Sequence, residues 1–374
     1  MLSIMKGQRK GLLAQLITWA LVPLSLVYGL GVFCHRNFYR LRGAYKAPKP
    51  VISIGNITVG GAGKTPLVIW LARKLQDHGL RPIILIRGYM PWAVKKIASS
   101  LKNAALGSTS RNDTNLTTNE AIGPFDTSDE VDMLNEQMPL IPVLAGVDRV
   151  TNIRKAKGIL PVDVYILDDG FQHWPLGRDL NIVAIDAGNP FGNGYLLPAG
   201  ILREPLSSLK RADVLILTKT DGTSDTQVLT SRLKRINPEA LIMESRYRAT
   251  GAVEVFDNDI LPENFLNDRR VAGFCAIGDP LSFESTLKNT GAKVSKLFSY
   301  MDHHVYKKED IQRMVEFCRT QEIQVLVTTH KDAVKLKIFK DLFEGIRLVY
   351  IPIQLEITKG SDEFLQKVIS VCRD

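Results

Sequence analysis

From Gly11 to Cys34 the chain reads GLLAQLITWALVPLSLVYGLGVFC with no charged residue, preceded by Lys6, Arg9 and Lys10 and followed by Arg36, Arg40, Arg42 and Lys46. An apolar run of that length predicts a helix just long enough for a hydrocarbon core of about 30 Å. Gln15, Thr18, Pro23 and Ser25 interrupt it. Cations on both flanks set no orientation, so spanning the bilayer and lying in its interface both stand. No small-residue cleavage pattern follows, so residues 1–46 are expected to form a membrane-associated helix with a basic flank rather than a signal peptide. Each Lys or Arg near an anionic surface would add about 1 kcal/mol of attraction.

Beyond Pro48 and Pro50 the pattern changes to short apolar runs separated by helical spacing. VISIG at 51–55 predicts a buried strand that runs into a glycine loop, and PLVIWLARKLQDHG at 66–79 follows with Leu67, Trp70, Leu71 and Leu75 at helical intervals and Gly79 as a C-cap. RPIILIRGY then restores a strand. This alternation predicts an α/β fold, a P-loop NTPase-type parallel sheet with helices on both faces. Residues 99–130, rich in Ser, Thr and Asn, read as a mobile surface insertion. MPLIPVLAG, VDVYILDDG, LNIVAID and ADVLILTK continue the strand series. A second series begins near 270 with RRVAGFCAI, VSKLFSY, VLVTTHKD and LVYIPI, interleaved with helical stretches such as KEDIQRMVEFCRT. The expected organisation is a kinase-like domain over 47–250 and a smaller α/β domain over 251–374.

Length and charge sharpen this. A chain of 374 residues can bury two cores, and a formal charge of +9 favours an anionic partner. The membrane segment directs that partner toward lipid and phosphorylated substrate rather than nucleic acid. Cys34, Cys275, Cys318 and Cys372 lie far apart, which suggests neither a zinc ribbon nor a disulfide framework.

The glycine loop carries the first chemical signal. Thr58, Val59, Gly60, Gly61, Ala62, Gly63, Lys64 and Thr65 follow the phosphate-loop pattern except that Thr58 stands where its first glycine should be. Such a loop works through backbone N–H groups and a helix N-terminus aimed at the anion, with Lys64 adding charge and Thr65 a magnesium ligand. Pro66 has no N–H to lose at a helix start. The missing glycine therefore changes the subclass of the loop more than its chemistry. VDVYILDDG delivers Asp168 and Asp169 at the end of an apolar strand, as a Walker B magnesium site requires. Gln172 and His173 follow closely enough to face the same cleft, or to pack beneath it.

Two further segments leave alternatives open. LILTKTD at 215–221 resembles the guanine-reading motif of GTPases, with Lys219 and Asp221 as readers, and raises the rival of a membrane-attached GTPase switch. The expected D-x-x-G switch is absent, and a surface turn is the plainer reading of that segment. SYMDHHVYKKEDI at 299–311 sets Asp302 beside His303 and His304. Adjacent histidines rarely reach one ion, so a general base is the better functional reading.

GNITVGGAGKTP, DDGFQHWPLGRDLNIVAID, NGYLLPAGILREP, RADVLILTK, DHHVY and KDAVKL occur in this order, and the chain resembles the tetraacyldisaccharide 4'-kinase family from its N-terminal segment to about residue 340. The resemblance implies transfer of the γ-phosphate of ATP, with Mg2+, to the 4'-hydroxyl of a lipid A disaccharide 1-phosphate at the cytoplasmic face of the inner membrane. It also implies two α/β domains around a cleft, and an Asp-His pair on the acceptor hydroxyl that matches Asp129 and His303 here. A monomer is expected. Two motifs depart from the family: G-D-E-P reads SDEV around Asp129, and TEKD reads THKD, which puts His330 where an acid is usual.

Overall fold

The computed structural model describes residues 1–9, 11–87, 129–220, 226–302 and 304–373. The insertion expected at 99–130 falls almost wholly outside these residues. In chain order the strands are β1 (Val51–Gly55), β2 (Pro82–Ile86), β3 (Val143–Ala145), β4 (Val164–Asp168), β5 (Leu180–Asp186), β6 (Val214–Thr218), β7 (Leu241–Ala249), β8 (Ala252–Glu254), β9 (Ile260–Leu261), β10 (Arg270–Cys275), β11 (Lys293–Ser299), β12 (Val325–Thr329), β13 (Arg347–Ile351) and β14 (Ile353–Lys359). They form an eight-stranded sheet ordered β14-β7-β6-β5-β1-β4-β2-β3 and a six-stranded sheet ordered β11-β10-β12-β13-β8-β9.

The first sheet is parallel except for β14, which runs antiparallel to β7. Every residue of β1, β2, β4 and β6 is buried, which explains why these strands read as continuous apolar runs instead of alternating ones. One face is covered by the helix Lys64–Asp77, through Leu67, Val68, Leu71 and Leu75, together with Phe364 and Val368 of the C-terminal helix Ser361–Arg373. The other face packs Leu209, Leu229 and Leu233 against Val183 and Leu215. The smaller sheet is also covered on two sides, by the helix Lys308–Thr320 through Ile311, Met314 and Val315, and by the helix Pro280–Asn289 through Phe283 and Leu287.

Residues 353–373, grouped with the second domain in the sequence reading, return instead to the first sheet. β14 pairs with β7 from Ile353↔Ala249 to Lys359↔Glu244, and Phe364 stacks on Trp70 with ring centroids 5.8 Å apart. Their apolar face matches the edge of the larger core, which proximity in sequence does not reveal.

The N-terminal run forms one helix, Leu12–Arg42, of 31 residues and about 46 Å at 1.5 Å per residue. Arg36, Arg40 and Arg42 belong to it. Leu12, Leu13, Leu16, Trp19, Leu24 and Leu26 are exposed, while Ala14, Thr18 and Ser25 are buried. Of the residues that interrupt the apolar run, Thr18 and Ser25 thus face the protein, while Gln15 and Pro23 are exposed. Ser25 Oγ donates to Leu196 O at 2.9 Å and accepts from Ala199 N–H at 3.0 Å. Gly29 lies so close to Leu196 that a Cβ would come within 2.9 Å of its Cδ1.

Candidate active site

The site forms where β1, β4, β5 and β6 end. Their registers place Ile54 beside Asp168, Gly55 beside Val183 and Asp186 beside Thr218, so the carboxyl ends of four strands open on one side of the sheet, where ligands bind in such folds. Gly55 leaves no room for a side chain because Phe171 crosses directly over it. The loop then rises through Asn56, Ile57 and Thr58 to the helix Lys64–Asp77.

The absent first glycine has a physical explanation. Thr58 does not occupy the left-handed region, and it is held by an antiparallel bridge to Leu202 while its carbonyl accepts from Asn56 Nδ2 at 2.9 Å. Glycine is required further on. Gly60 has φ +117° and Gly63 φ +78°, where a side chain at Gly63 would also run into the Tyr247 hydroxyl. Among the described residues no atom beyond the immediate chain neighbours lies within 4 Å of where a Cβ would sit on Gly60 or Gly61, so these bare residues line open space at the start of the helix. That is a cradle suited to an anion.

Lys64 Nζ donates to Asn56 Oδ1 at 3.3 Å and lies 3.3 Å from Asp169 Oδ1. Arg203 Nη1 donates to both Asp169 oxygens, at 3.1 and 3.0 Å. Burial pushes the Asp169 carboxyl up, but the Lys64 ammonium and the Arg203 guanidinium outweigh it and hold the group below the usual carboxylate range. Asp168, the last residue of β4, is buried, and its carbonyl accepts from Arg149 Nη2 at 3.5 Å. Thr65 stands in the first turn of the helix that follows the loop. Among the described residues no group of three His, Cys, Asp or Glu side chains converges as an all-protein metal cage. One or two carboxylates beside a hydroxyl and a phosphate cradle are the donor set magnesium takes with a nucleotide.

Gln172 is structural: its Nε2 donates to Asn56 O and to Glu204 Oε1, both at 2.9 Å. His173 is half-buried with Nδ1 3.4 Å from Arg149 Nη1, and that burial, aided by the Arg149 and Arg178 charges, pushes it down to about 4. Lys219 is no surface turn. It adopts φ +58° and bridges Asp186 at 2.7 Å and Asp279 at 2.6 Å, tying the two sheets' units together across the cleft. Asp221 lies outside the described residues.

His303 also lies outside them, and Asp129 opens the helix Asp129–Gln137 with its side chain outside the described set. Their surroundings are described. His304 Nε2 is 2.9 Å from Asp310 Oδ2, and its ring stacks on Tyr300. Asp302 pairs with Lys331 at 3.1 Å. His330, the departure in THKD, lies 2.7 Å through Nδ1 from Gln137 Nε2 and 3.3 Å through Nε2 from Glu136 Oε2, while Lys337 reaches Glu136 at 2.6 Å. Segment 330–337 therefore joins the end of the helix that begins at Asp129 to the residue preceding His303.

Arg203 and Asn56 were not assigned to the site from sequence, and Lys219 entered it only as a candidate guanine reader, not as the bridge between Asp186 and Asp279. Arg203 lies in the quoted ILREP motif, but nothing local in that motif says which carboxylate it meets.

Residues 17–370 match the family model described as tetraacyldisaccharide-1-P 4'-kinase. The chain belongs to that family. It is 34% identical over 366 residues to the tetraacyldisaccharide 4'-kinase of Syntrophus aciditrophicus (strain SB), covering 94% of this chain and 92% of that one. It is 35% identical over 353 residues to the corresponding enzyme of Elusimicrobium minutum (strain Pei191), covering 92% and 88%. Among solved structures, LpxK from Aquifex aeolicus, described as an "apo" form in complex with ATP, aligns with a TM-score of 0.68 and 27% identity over 95% of this chain and 99% of that chain. The tetraacyldisaccharide 4'-kinase activity, phosphorylation of a lipid A precursor, is thereby assigned, and the GTPase reading of Lys219 and Asp221 is set aside.

Proposed function

We propose that the cleft beside the 58–65 loop binds ATP with Mg2+ and that its γ-phosphate passes to the 4'-hydroxyl of a lipid A disaccharide 1-phosphate. The observation that carries this reading is the open cradle of Gly60 and Gly61 with Lys64 held beside it by Asn56 and Asp169. Lys64 neutralises the transferring phosphoryl group, and the 58–65 loop holds the phosphates through amides other than those of Val59 and Ala62, which donate to Ile201 O and Gly60 O. Thr65 and the Asp168–Asp169 pair are the metal-binding candidates. Asp169 also orders Lys64 and Arg203 beside the loop. Bound magnesium supplies charge neutralisation across the phosphate oxygens.

Asp129 and His303 act together on the acceptor hydroxyl, the carboxylate orienting the imidazole as general base. Two observations support this choice. His304 is engaged by Asp310 and Tyr300 in its own segment, and the 330–337 contacts draw the helix starting at Asp129 toward Asp302. The acceptor reaches the site from the membrane. The chain associates with the cytoplasmic face of the inner membrane through the exposed apolar side of Leu12–Arg42, and it works as a monomer.

The test uses γ-labelled ATP and GTP with lipid A disaccharide 1-phosphate, reading label in the lipid. ATP is expected to be preferred, and Lys64→Ala to lose most transfer while remaining folded. In single-turnover reactions Asp129→Ala, His303→Ala and the double variant should fall to similar rates, with a general-base contribution of about 10²–10⁴-fold, and His304→Ala should be milder. Multiplying losses in the double variant reject the coupled pair.

A further inference from the structure

Residues 1–9 precede the stretch matched by the family model, 17–370, yet they are folded onto the cleft. The short helix Leu2–Met5 buries Ile4. Asn193 N–H donates to Met5 O at 3.1 Å, and Asn189 Nδ2 donates to Lys6 O at 3.0 Å. Gly192, at φ +56°, fits there because a side chain would strike Met5 O and Ile201. These bonds to backbone oxygens fix where Lys6 leaves the chain.

The Lys6 ammonium crosses to the second unit and donates to Gly278 O at 3.4 Å. Gly278 itself packs on the phosphate loop: a Cβ built there would lie 3.3 Å from Gly61 N and 3.6 Å from Gly60 Cα. Lys6 and Gln8 line the same cavity of ≈ 380 Å³ as the loop residues Thr58 to Ala62, Lys219 and Asp279. A lysine serving only as a membrane flank would extend toward headgroups, whereas this one reaches into the cleft. An ammonium has three donors, and Gly278 O takes one of them.

We propose that Lys6 is a nucleotide-binding residue, contributed by the segment before the membrane helix, with its charge directed at the phosphates of ATP. The proposal rests on the reading of the cleft as the ATP site. It makes the nucleotide site three-sided: the phosphate loop, the 278–289 stretch of the second unit, and the N-terminal segment.

The experiment uses the full chain in detergent micelles with ATP, Mg2+ and the lipid acceptor. Lys6→Met keeps the aliphatic stem and removes the charge. Its KM for ATP should rise about tenfold, the equivalent of roughly 1.4 kcal/mol of charge-assisted contact, while kcat and the KM for lipid stay within about twofold. Lys6→Glu should be worse and Lys6→Arg should recover most of the loss. Flotation with anionic vesicles should be unchanged, because Leu12–Arg42 is intact. An unchanged KM for ATP, or a change confined to the lipid KM or to flotation, overturns the proposal. Lys64→Ala, assayed for ATP binding alongside, separates the two readings. If it loses ATP and Lys6→Met does not, the Lys6 inference fails alone; if Lys64→Ala still binds ATP normally, the cleft reading fails.

Discussion

His173 shows how one side chain ties the site to the conditions under which the fold holds. It is half-buried against Arg149, and that burial with the neighbouring cations brings it down to about 4 from an ordinary value near 6.5. The folded protein therefore keeps the ring neutral where an unfolded chain would bind a proton. The sign follows: this contribution to stability is fully present above about pH 6.5 and is lost as pH falls from there toward 4. The melting temperature is expected to drop across that window, and His173→Gln should flatten the drop. A wild-type melting curve unchanged between pH 7 and pH 5 would contradict a neutral ring.

At the scale of elements, the Leu12–Arg42 helix has two unlike sides. Ala14, Thr18, Ser25 and Gly29 approach the protein, and Leu12, Leu13, Leu16, Trp19 and Leu26 face outward. A stripe of small residues that packs on the body, with an exposed apolar side opposite, suits a helix shared between protein and lipid. Removing residues 1–34 should release the protein from anionic vesicles in flotation. It should also weaken use of dispersed lipid acceptor through loss of the helix, and raise the KM for ATP because Lys6 goes with it. Equal flotation of the truncated and full chains would count against the membrane role.

For the whole molecule, one contact between the two units passes through Lys219, which bridges Asp186 at the end of β5 and Asp279 at the start of the helix Pro280–Asn289. Burial lowers the ammonium's charge preference, but the two carboxylates outweigh it and raise its pKa above the ordinary lysine value. Lys219→Met leaves two carboxylates facing each other without a cation. Removing the cation from this half-buried cluster destabilises the fold, and the expected result is a lower melting temperature with a raised KM for ATP. Adding Asp279→Asn should recover part of the stability. An equal or greater loss in the double variant would show that the bridge does not hold the units together.

What was legible in the sequence is what the chain settles locally. The strands β1, β2, β4 and β6 announced themselves because both faces are buried, so no alternation was needed, and the phosphate loop because its backbone demands glycine at Gly60 and Gly63 within one turn of Lys64 and Thr65. The departure at Thr58 was readable as a change of subclass, but its cause, the bridge to Leu202, lies far along the chain. The tertiary structure alone decided which distant groups met: Arg203 on Asp169, Lys219 between Asp186 and Asp279, and β14 on the edge of the first sheet. It alone turned Thr18 and Ser25 from interruptions of an apolar run into its docking side, and carried the Lys6 ammonium to Gly278, which packs on the phosphate loop. Periodicity and backbone chemistry act over a few residues and so leave a written trace. Pairing of charges and edges depends on the path of the whole chain, and no short stretch carries it.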